Sequence, residues 1–183
     1  MNEIINRVGI IPIGEVPEIV SQTIAAHISG YLDLSAIILP GVNNFTDSFN
    51  ENRLQYDVAK TLQKLESIKV KGVDKILGIL SVDLYVPIFT YVFGEAKQGG
   101  KAAVISLYRL GKGTNGKTQP SSTVLERAAK VALHELGHLY SLFHCTNEHC
   151  LMHFSGGLQD LDGSPLYFCR YCSKYFSHAR SSS

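Results

Sequence analysis

The residues most able to do chemistry lie at 134–138, which read H-E-x-x-H (His134, Glu135, His138), with His144 six positions later. Histidines four apart on a helix lie on one face, so their imidazoles could bind one metal ion together. Glu135 follows the first of them, where a carboxylate reaches a metal-bound water without being a ligand. A zinc ion lowers the pKa of such a water, and the carboxylate can then accept its proton as a general base. This chemistry predicts hydrolysis of a peptide bond.

The pattern H-E-x-x-H can also arise on any helix with surface charges, so its surroundings matter. A helix over 123–143 is predicted, because Thr123 and Glu126 would form a capping box at its start. Apolar residues recur along it at helical spacing, at Leu125, Ala128, Ala129, Ala132, Leu136 and Leu139. The two histidines of the motif lie off this stripe, which predicts that they face a cleft rather than the core.

The third histidine can join the other two only if the chain turns. In an unbroken helix His144 would lie about 15 Å along the axis from His134, too far to share a metal ion. A sharp turn is therefore expected between Tyr140 and Phe143. Glycine takes the left-handed conformation there without steric cost, but Ser141 would pay roughly 1 kcal/mol or more. Either Ser141 tolerates this strain or the turn has another geometry; without a turn, His144 is a surface histidine near a helix end.

The four cysteines follow directly after the third histidine, at Cys145, Cys150, Cys169 and Cys172. Their spacing, C-x4-C and then C-x2-C, suits a structural zinc site with four thiolate ligands. The alternative is two disulfide bonds, which need an oxidising compartment. The sequence has no secretory leader at its start and no apolar stretch of about 18 residues, which predicts a cytoplasmic protein with reduced thiols. A second, structural zinc is therefore expected to anchor the C-terminal segment.

Length and composition predict one domain. The chain has 183 residues, of which 45% are hydrophobic, enough for a core. Its formal net charge of +1 offers no strong field for nucleic acid or an anionic membrane. We expect a single domain over 1–183, with an N-terminal lobe at 1–144 and a zinc-knuckle segment at 145–183, present as a monomer. His27, His149, His153 and His178 are interpreted as structural.

Strand-like and helix-like patterns alternate along the chain, which predicts an α+β fold with a mixed sheet above the helix that carries the motif. The predicted strands are 7–13, 35–39, 75–82 and 102–108. The predicted helices before the motif are 16–31 and 58–68. A flexible loop is expected at 111–116 and a frayed tail at 179–183.

The arrangement of histidines, cysteines and Met152 resembles the archaemetzincins, which are metzincin-type zinc metallopeptidases. The likeness is carried by H-E-x-x-H-x-x-S-x-x-H-C-x4-C-x-M over 134–152 and by C-x-x-C over 169–172. Segments 82–87 and 92–96 are similar to the family as well. The family has glycine where this chain has Ser141.

The resemblance implies roles for individual residues. His134, His138 and His144 would bind the catalytic zinc, with Glu135 as general base and Met152 as the Met-turn methionine beneath the metal. A second zinc would be held by the cysteines, namely Cys145, Cys150, Cys169 and Cys172. The implied fold is zincin-like or metzincin-like: a mixed, mostly parallel, twisted five-stranded sheet, a backing helix, an active-site helix and a zinc-stabilised C-terminal segment. An antiparallel edge strand within 91–96 would bind extended substrate by β-augmentation.

Two functions remain open at this stage. The first is a zinc-dependent peptidase with two zinc ions that cleaves a peptide or protein, as an aminopeptidase or an endopeptidase. The second is a catalytically weak or inactive binding module of the same fold, suggested by Ser141 and the cytoplasmic setting. Nucleic-acid binding through Arg170 and Lys174 is disfavoured, because basic residues are few there.

Overall fold

The architecture is α+β, with one large mixed sheet and helices on both of its faces. A computed structural model describes residues 7–111 and 120–181, so most of the predicted loop at 111–116 lies outside the described residues. The strands are β1 (Arg7–Ile13), β2 (Ser35–Ile38), β3 (Phe49–Asn50), β4 (Gln55–Asp57), β5 (Lys75–Leu80), β6 (Leu84–Tyr85), β7 (Gly94–Ala96) and β8 (Ala102–Ser106). The α-helices are α1 (Glu18–Leu32), α2 (Val58–Ser67), α3 (Ser122–Leu139), α4 (Leu158–Gly163) and α5 (Arg170–Ser181), with a short 3₁₀ turn at Thr46–Ser48.

The large sheet has the strand order β2-β1-β5-β8-β7. Its first four strands are parallel to their neighbours, and β7 is antiparallel to β8. A mixed, mostly parallel sheet of five strands with an antiparallel edge strand within 91–96 is thus confirmed. A smaller sheet has the order β3-β4-β6.

The central strand β5 is buried along its whole length because helices cover both faces of the sheet. Its alternate residues therefore enter two different cores. Leu77 and Ile79 belong to the core shared with α1 and α3. Ile76 and Leu80 belong to the core shared with α2. The helix that carries the motif is consequently packed on the sheet through its apolar stripe, as its spacing predicts.

The active-site helix differs from its predicted range of 123–143 at both ends. It begins at Ser122, and its cap is the Ser121 side chain, which accepts a hydrogen bond of 3.3 Å from Val124 N. The predicted capping box at Thr123 is therefore wrong; the extended backbone needed for a cap lies two residues earlier. The helix ends at Leu139, because the chain turns immediately afterwards.

The turn after α3 is a Schellman motif with a serine in the position usually held by glycine. Ser141 has φ 66°, in the left-handed region. Leu142 N donates to Gly137 O at 3.0 Å, and Ser141 N donates to His138 O at 3.0 Å. Of the two geometries open from the sequence, the chain takes the left-handed turn and carries its strain.

The C-terminal segment is held by packing as well as by its cysteines. Phe176 of α5 is buried, with its ring 4.8 Å from that of Tyr140. Arg180 donates to Leu32 O and to the carboxylate of Asp33, at the end of α1. The predicted fraying at 179–183 is therefore wrong for residues 179–181, which complete α5 and are tied to α1. No helix in the described ranges has the length and apolarity that crossing a bilayer requires.

An ion pair with a buried carboxylate supports the segment that leads into β7. Asp83 is buried and accepts two hydrogen bonds from Arg109, at 2.7 and 2.6 Å. Gln55 donates to the same carboxylate at 2.9 Å and to Thr90 O at 2.8 Å. Arg109 also lies over the ring of Tyr91, 4.3 Å from its centroid. The network fixes the backbone just before the edge strand.

Replacement of Arg109 by Met should destabilise the fold by on the order of 2 kcal/mol, because it leaves the buried carboxylate of Asp83 without its cation. The matched control is Lys64→Met, which removes an ion pair with the exposed side chain of Asp47 and should destabilise the fold much less, because water and salt screen an exposed pair. Urea unfolding of both variants measures the difference. Equal losses of stability in the two variants would contradict a supporting role for the pair of Asp83 and Arg109.

Candidate metal centre

Three histidines converge on one point beside α3. His134 and His138 lie one turn apart on the helix, and their Nε2 atoms are 3.1 Å from each other. The His144 ring lies 5.3 Å from that of His134 and 4.9 Å from that of His138, centroid to centroid. One ring nitrogen from each histidine lies within 4.8 Å of the others. The left-handed turn at Ser141 brings His144 back to the helix.

Backbone carbonyls determine which nitrogens face the centre. His134 Nδ1 donates to Leu151 O at 2.8 Å, and His138 Nδ1 donates to Leu142 O at 2.7 Å. With the neutral-ring proton on Nδ1, both Nε2 atoms present lone pairs to each other and cannot share a hydrogen bond. Two ligand nitrogens on a tetrahedral zinc are separated by about 3.3 Å, from Zn–N bonds of about 2.05 Å. The donor set therefore fits a zinc ion.

The electrostatics of the site keep the imidazoles neutral. Burial, together with the neighbouring histidines, lowers the pKa of His134 to about 3. Burial also lowers the pKa of His138 and of His144. Neutral rings are the form that binds a metal ion, so proton competition for these nitrogens is weak near neutral pH.

Glu135 lies beside the histidines, between α3 and the edge strand. It is buried, and burial raises its pKa well above the usual carboxyl value, with a further contribution from Glu95 on β7. β7 can approach α3 closely because residue 94 is glycine. A Cβ at Gly94 would lie 2.9 Å from Glu135 Cγ and 2.9 Å from Val131 Cγ1. Burial of this kind makes the Glu135 carboxylate a stronger base than a carboxylate exposed to water.

Met152 lies against α3, the helix that carries the first two histidines, at Gly137. It is fully buried, and a Cβ added at Gly137 would lie only 2.5 Å from its sulfur. Cys145 N donates to Met152 O at 2.8 Å, which ties the methionine to the residue after His144. The role of Met152 as the Met-turn methionine, which the resemblance implies, stays a prediction.

The four cysteines form a second cluster next to the first. Their sulfur atoms all lie within 4.8 Å of one another, and none is in a disulfide bond. Cys145 Sγ and Cys169 Sγ are 3.9 Å apart, and Cys169 N donates to Cys150 Sγ at 3.2 Å. Burial raises the pKa of Cys169, but hydrogen bonds from the Cys172 backbone, the Cys150 side chain and the Tyr171 backbone outweigh burial and lower this pKa to about 7. The cluster has the ligand chemistry of a closed zinc site.

A cavity of about 330 Å³ opens in front of the histidines. Residues 89–95 form one wall, and Val131 and Leu151 contribute to its apolar lining. Phe89 and Phe154 stack across the cavity with their centroids 6.4 Å apart. The shape is that of a cleft between the edge strand and the segment after Met152.

Two charged residues of the cleft were not predicted from the sequence. Glu95 lines it from β7, and burial raises its pKa. Lys130 lines it one turn before His134; its ammonium donates to Leu161 O and pairs with Glu126 at 2.8 Å. Lys130 had no distinguishing sequence signal, since a lysine on a helix usually faces solvent. For Glu95, the only signal was its place within the family-like segment 92–96.

The match to a family model and the likeness to curated relatives define the class of the protein: it belongs to a family of metallopeptidases. Residues 18–178 match peptidase family M54. The chain belongs to this family, the archaemetzincins. The resemblance inferred from the motifs is thereby confirmed.

Individual relatives extend over most of the chain. It is 36% identical to the archaemetzincin of Archaeoglobus fulgidus over 152 residues, covering 83% of this chain and 88% of the relative. It is 34% identical to that of Methanocaldococcus jannaschii over 171 residues, covering 93% and 92%.

Solved structures agree with the fold. The archaemetzincin of Methanopyrus kandleri superposes with a TM-score of 0.85 at 29% identity, covering 98% of this chain and 97% of the other. The Archaeoglobus fulgidus archaemetzincin complexed with malonate gives 0.80 at 33% identity, covering 92% and 99%. A zinc-dependent peptidase of Methanocorpusculum labreanum gives 0.82 at 28% identity, with the same coverage.

Replacement of Gly137 by Ala should destabilise the protein by about 1–3 kcal/mol, because the new methyl group would collide with the sulfur of Met152. Gly163→Ala is the matched control, since a Cβ at the end of α4 meets no atom within 4 Å. Thermal unfolding of the two variants provides the comparison. If Gly137→Ala were as stable as the control, Met152 would not pack tightly beneath the helix.

Proposed function

We propose that this protein is a zinc-dependent metallopeptidase that hydrolyses peptide bonds, with one catalytic and one structural zinc. The observation that carries the proposal is the pair of Nε2 atoms 3.1 Å apart, each on a ring whose Nδ1 donates to a carbonyl. Two facing lone pairs at this distance repel each other unless a cation lies between them. His144 supplies the third ligand, which leaves a fourth position for water or substrate, as in catalytic zinc sites.

The chemistry divides between the metal and Glu135. A bound zinc would supply Lewis acidity toward the scissile carbonyl and would lower the pKa of a water molecule there. Glu135 would accept a proton as the water oxygen bonds to the carbonyl carbon, and would donate it to the amine nitrogen as the C–N bond breaks. The burial of Glu135 supports this role. A carboxylate that is shielded from bulk water and close to a cation exchanges its proton with the nearest reacting group rather than with solvent.

The edge strand supports a peptide as substrate. β7 is the last strand of the large sheet, so one edge of its backbone is not paired within that sheet. An extended peptide can pair with it and pass in front of the histidines. The contact of Phe89 with Phe154 narrows the cleft, which favours short peptides and chain ends over folded proteins; aminopeptidase cleavage is therefore part of the proposal.

The four cysteines complete the proposed cofactor set as ligands of the structural zinc. We further propose that residues 1–183 act as one domain, because Leu139 of α3 and Phe176 of α5 share one core. The segments 1–144 and 145–183 would then be parts of one unit. A monomer in a reducing, cytoplasmic setting, without nucleic-acid or membrane partners, completes the proposal; the unpaired thiols support that setting.

Replacement of Glu135 by Gln should lower kcat by a factor of about 10²–10⁴, because the amide cannot accept the proton of the metal-bound water. Zinc content should be unchanged, since Glu135 is not among the proposed ligands. The assay is a digest of a peptide library by zinc-loaded protein, which also reports whether products arise from chain ends. Undiminished cleavage by the variant, or by Glu135→Ala, would refute the mechanism. Zinc bound at the histidines without cleavage by the native chain would instead favour the binding module.

Replacement of Cys172 by Ser should reduce the zinc content from two ions per chain to one and destabilise α5, because a three-thiolate site binds zinc less tightly. Elemental analysis gives the stoichiometry, and circular dichroism gives the helix content. Ser173→Ala, at the next position in α5, is the matched control and should keep both ions. Loss of the histidine-bound ion alone would contradict the assignment of the cysteines.

A further inference from the structure

We propose that the loop between β7 and β8, residues 97–101, holds the left-handed turn at Ser141, and that Gln98 in this loop positions His138 for the metal. This loop is called the clamp loop below. The inference rests on the proposed zinc site but not on hydrolysis. It makes Gln98 a positioning residue, since its side chain contacts the turn rather than the reacting atoms.

Gln98 acts on His138 through a shared carbonyl. Gln98 Nε2 donates to Leu142 O at 2.9 Å. The same oxygen accepts the hydrogen bond from His138 Nδ1 at 2.7 Å. A carbonyl oxygen has two lone pairs, so it can accept both donors at once. Gln98 therefore fixes the acceptor that sets the tautomer and the orientation of the His138 ring, which is the usual task of groups just outside a metal's ligands.

The backbone of the clamp loop contacts the other side of the turn. Gly99 N donates to His138 O at 2.8 Å, the carbonyl that also accepts from Ser141 N. Gly99 has φ 63°, and a Cβ there would lie 2.9 Å from Ser141 Oγ. The positive φ and this close contact together favour glycine opposite the serine. The two positions are complementary: a glycine in the clamp loop faces the serine of the turn.

Lys75, the first residue of β5, links the clamp loop to the end of α3 through hydrogen bonds to both. Its ammonium donates to Leu139 O at 3.0 Å and to Gly100 O at 2.8 Å, and it lies 5.1 Å from the Tyr140 ring centroid. The residue is only 9% exposed. A buried cation at a helix C-terminus satisfies a free carbonyl and opposes the negative end of the helix dipole.

These contacts account for the serine at this turn. A glycine would adopt the left-handed conformation unaided, whereas a serine needs support from its surroundings. In this chain Gln98, Gly99 and Lys75 bond to three carbonyls between His138 and Leu142. Because the metal ligands His138 and His144 flank the turn, the support acts directly on their separation.

The test is the affinity of the histidine site for zinc in Gln98→Ala. Removal of the donor should weaken that affinity by about 10-fold or more, as loss of such outer contacts usually does. Competition with a chromophoric chelator measures it, and cobalt substitution separates the sites, because only the cysteine site gives thiolate-to-metal charge-transfer bands. The cysteine site is the internal control. Lys97→Ala is the matched variant, since its side chain is 70% exposed and pairs with Glu66 at 4.0 Å; it should leave both affinities unchanged.

A second variant tests the mechanism of support. Adding Ser141→Gly to Gln98→Ala should restore most of the lost affinity, since glycine holds the turn without the clamp loop. Unchanged affinity in Gln98→Ala, or no restoration in the double variant, would overturn the inference. Lys75→Met is the weaker test because a buried lysine can be needed for folding itself. Failure of the proposed function can be distinguished from failure of this inference. If the proposed function is wrong, Glu135→Gln cleaves peptides normally or the native protein does not cleave them at all. The zinc affinity of the histidine site would still fall in Gln98→Ala.

Discussion

Two hydrogen bonds from imidazoles to backbone carbonyls are the interaction on which the rest of the site depends. His134 donates to Leu151 O and His138 to Leu142 O, so both protons point away from the centre and both Nε2 lone pairs point into it. The carbonyls belong to chain segments that follow the helix, not to the helix itself. A helix with H-E-x-x-H would therefore place the rings on one face but leave their rotation free. The orientation comes from where the chain goes after Leu139, which makes the turn and the segment around Leu151 as important as the motif.

The edge strand and the metal centre share supporting groups, which links substrate position to metal geometry. β7 lies against α3 because Gly94 leaves room for Glu135 and Val131. The chain then enters the loop that bonds to the turn at Ser141 and returns into the sheet as β8. On the other side, the segment before β7 is held by the network around Arg109 and the buried carboxylate of Asp83. The strand proposed to bind a peptide is thus fixed at both ends, one of them on the turn between two proposed ligands. Fixed supports of this kind are what precise positioning of a reacting bond requires.

Much of this arrangement could be predicted from the sequence, and the parts that could not have a common cause. The alternation of strands and helices predicts the sheet, and the spacing of the histidines and cysteines predicts both clusters, because periodicity and ligand spacing are local properties. The end of the active-site helix was predicted too late and its cap two residues from its true place, since caps depend on backbone conformation that several serines and threonines could support. Gln98 and Lys75 were not singled out at all. Their partners are backbone carbonyls, which every residue has, so nothing in the sequence distinguishes them from other polar residues in loops and strands.

The two clusters are consecutive in the chain, and this has a physical consequence for the third histidine. His144 is more exposed than the other two, with no helix to hold it. It is bounded by the strained turn at Ser141 on one side and by Cys145 on the other. Three contacts hold Cys145 in place. Its sulfur lies in the cysteine cluster, its N–H donates to Met152 O, and its carbonyl accepts a hydrogen bond from His153 Nδ1 at 2.9 Å. A residue between two anchored neighbours loses little further conformational entropy when it binds a ligand. The cysteine cluster therefore does more than secure the C-terminal segment, because ordering Cys145 also orders His144, the proposed ligand that lies beyond the end of the helix.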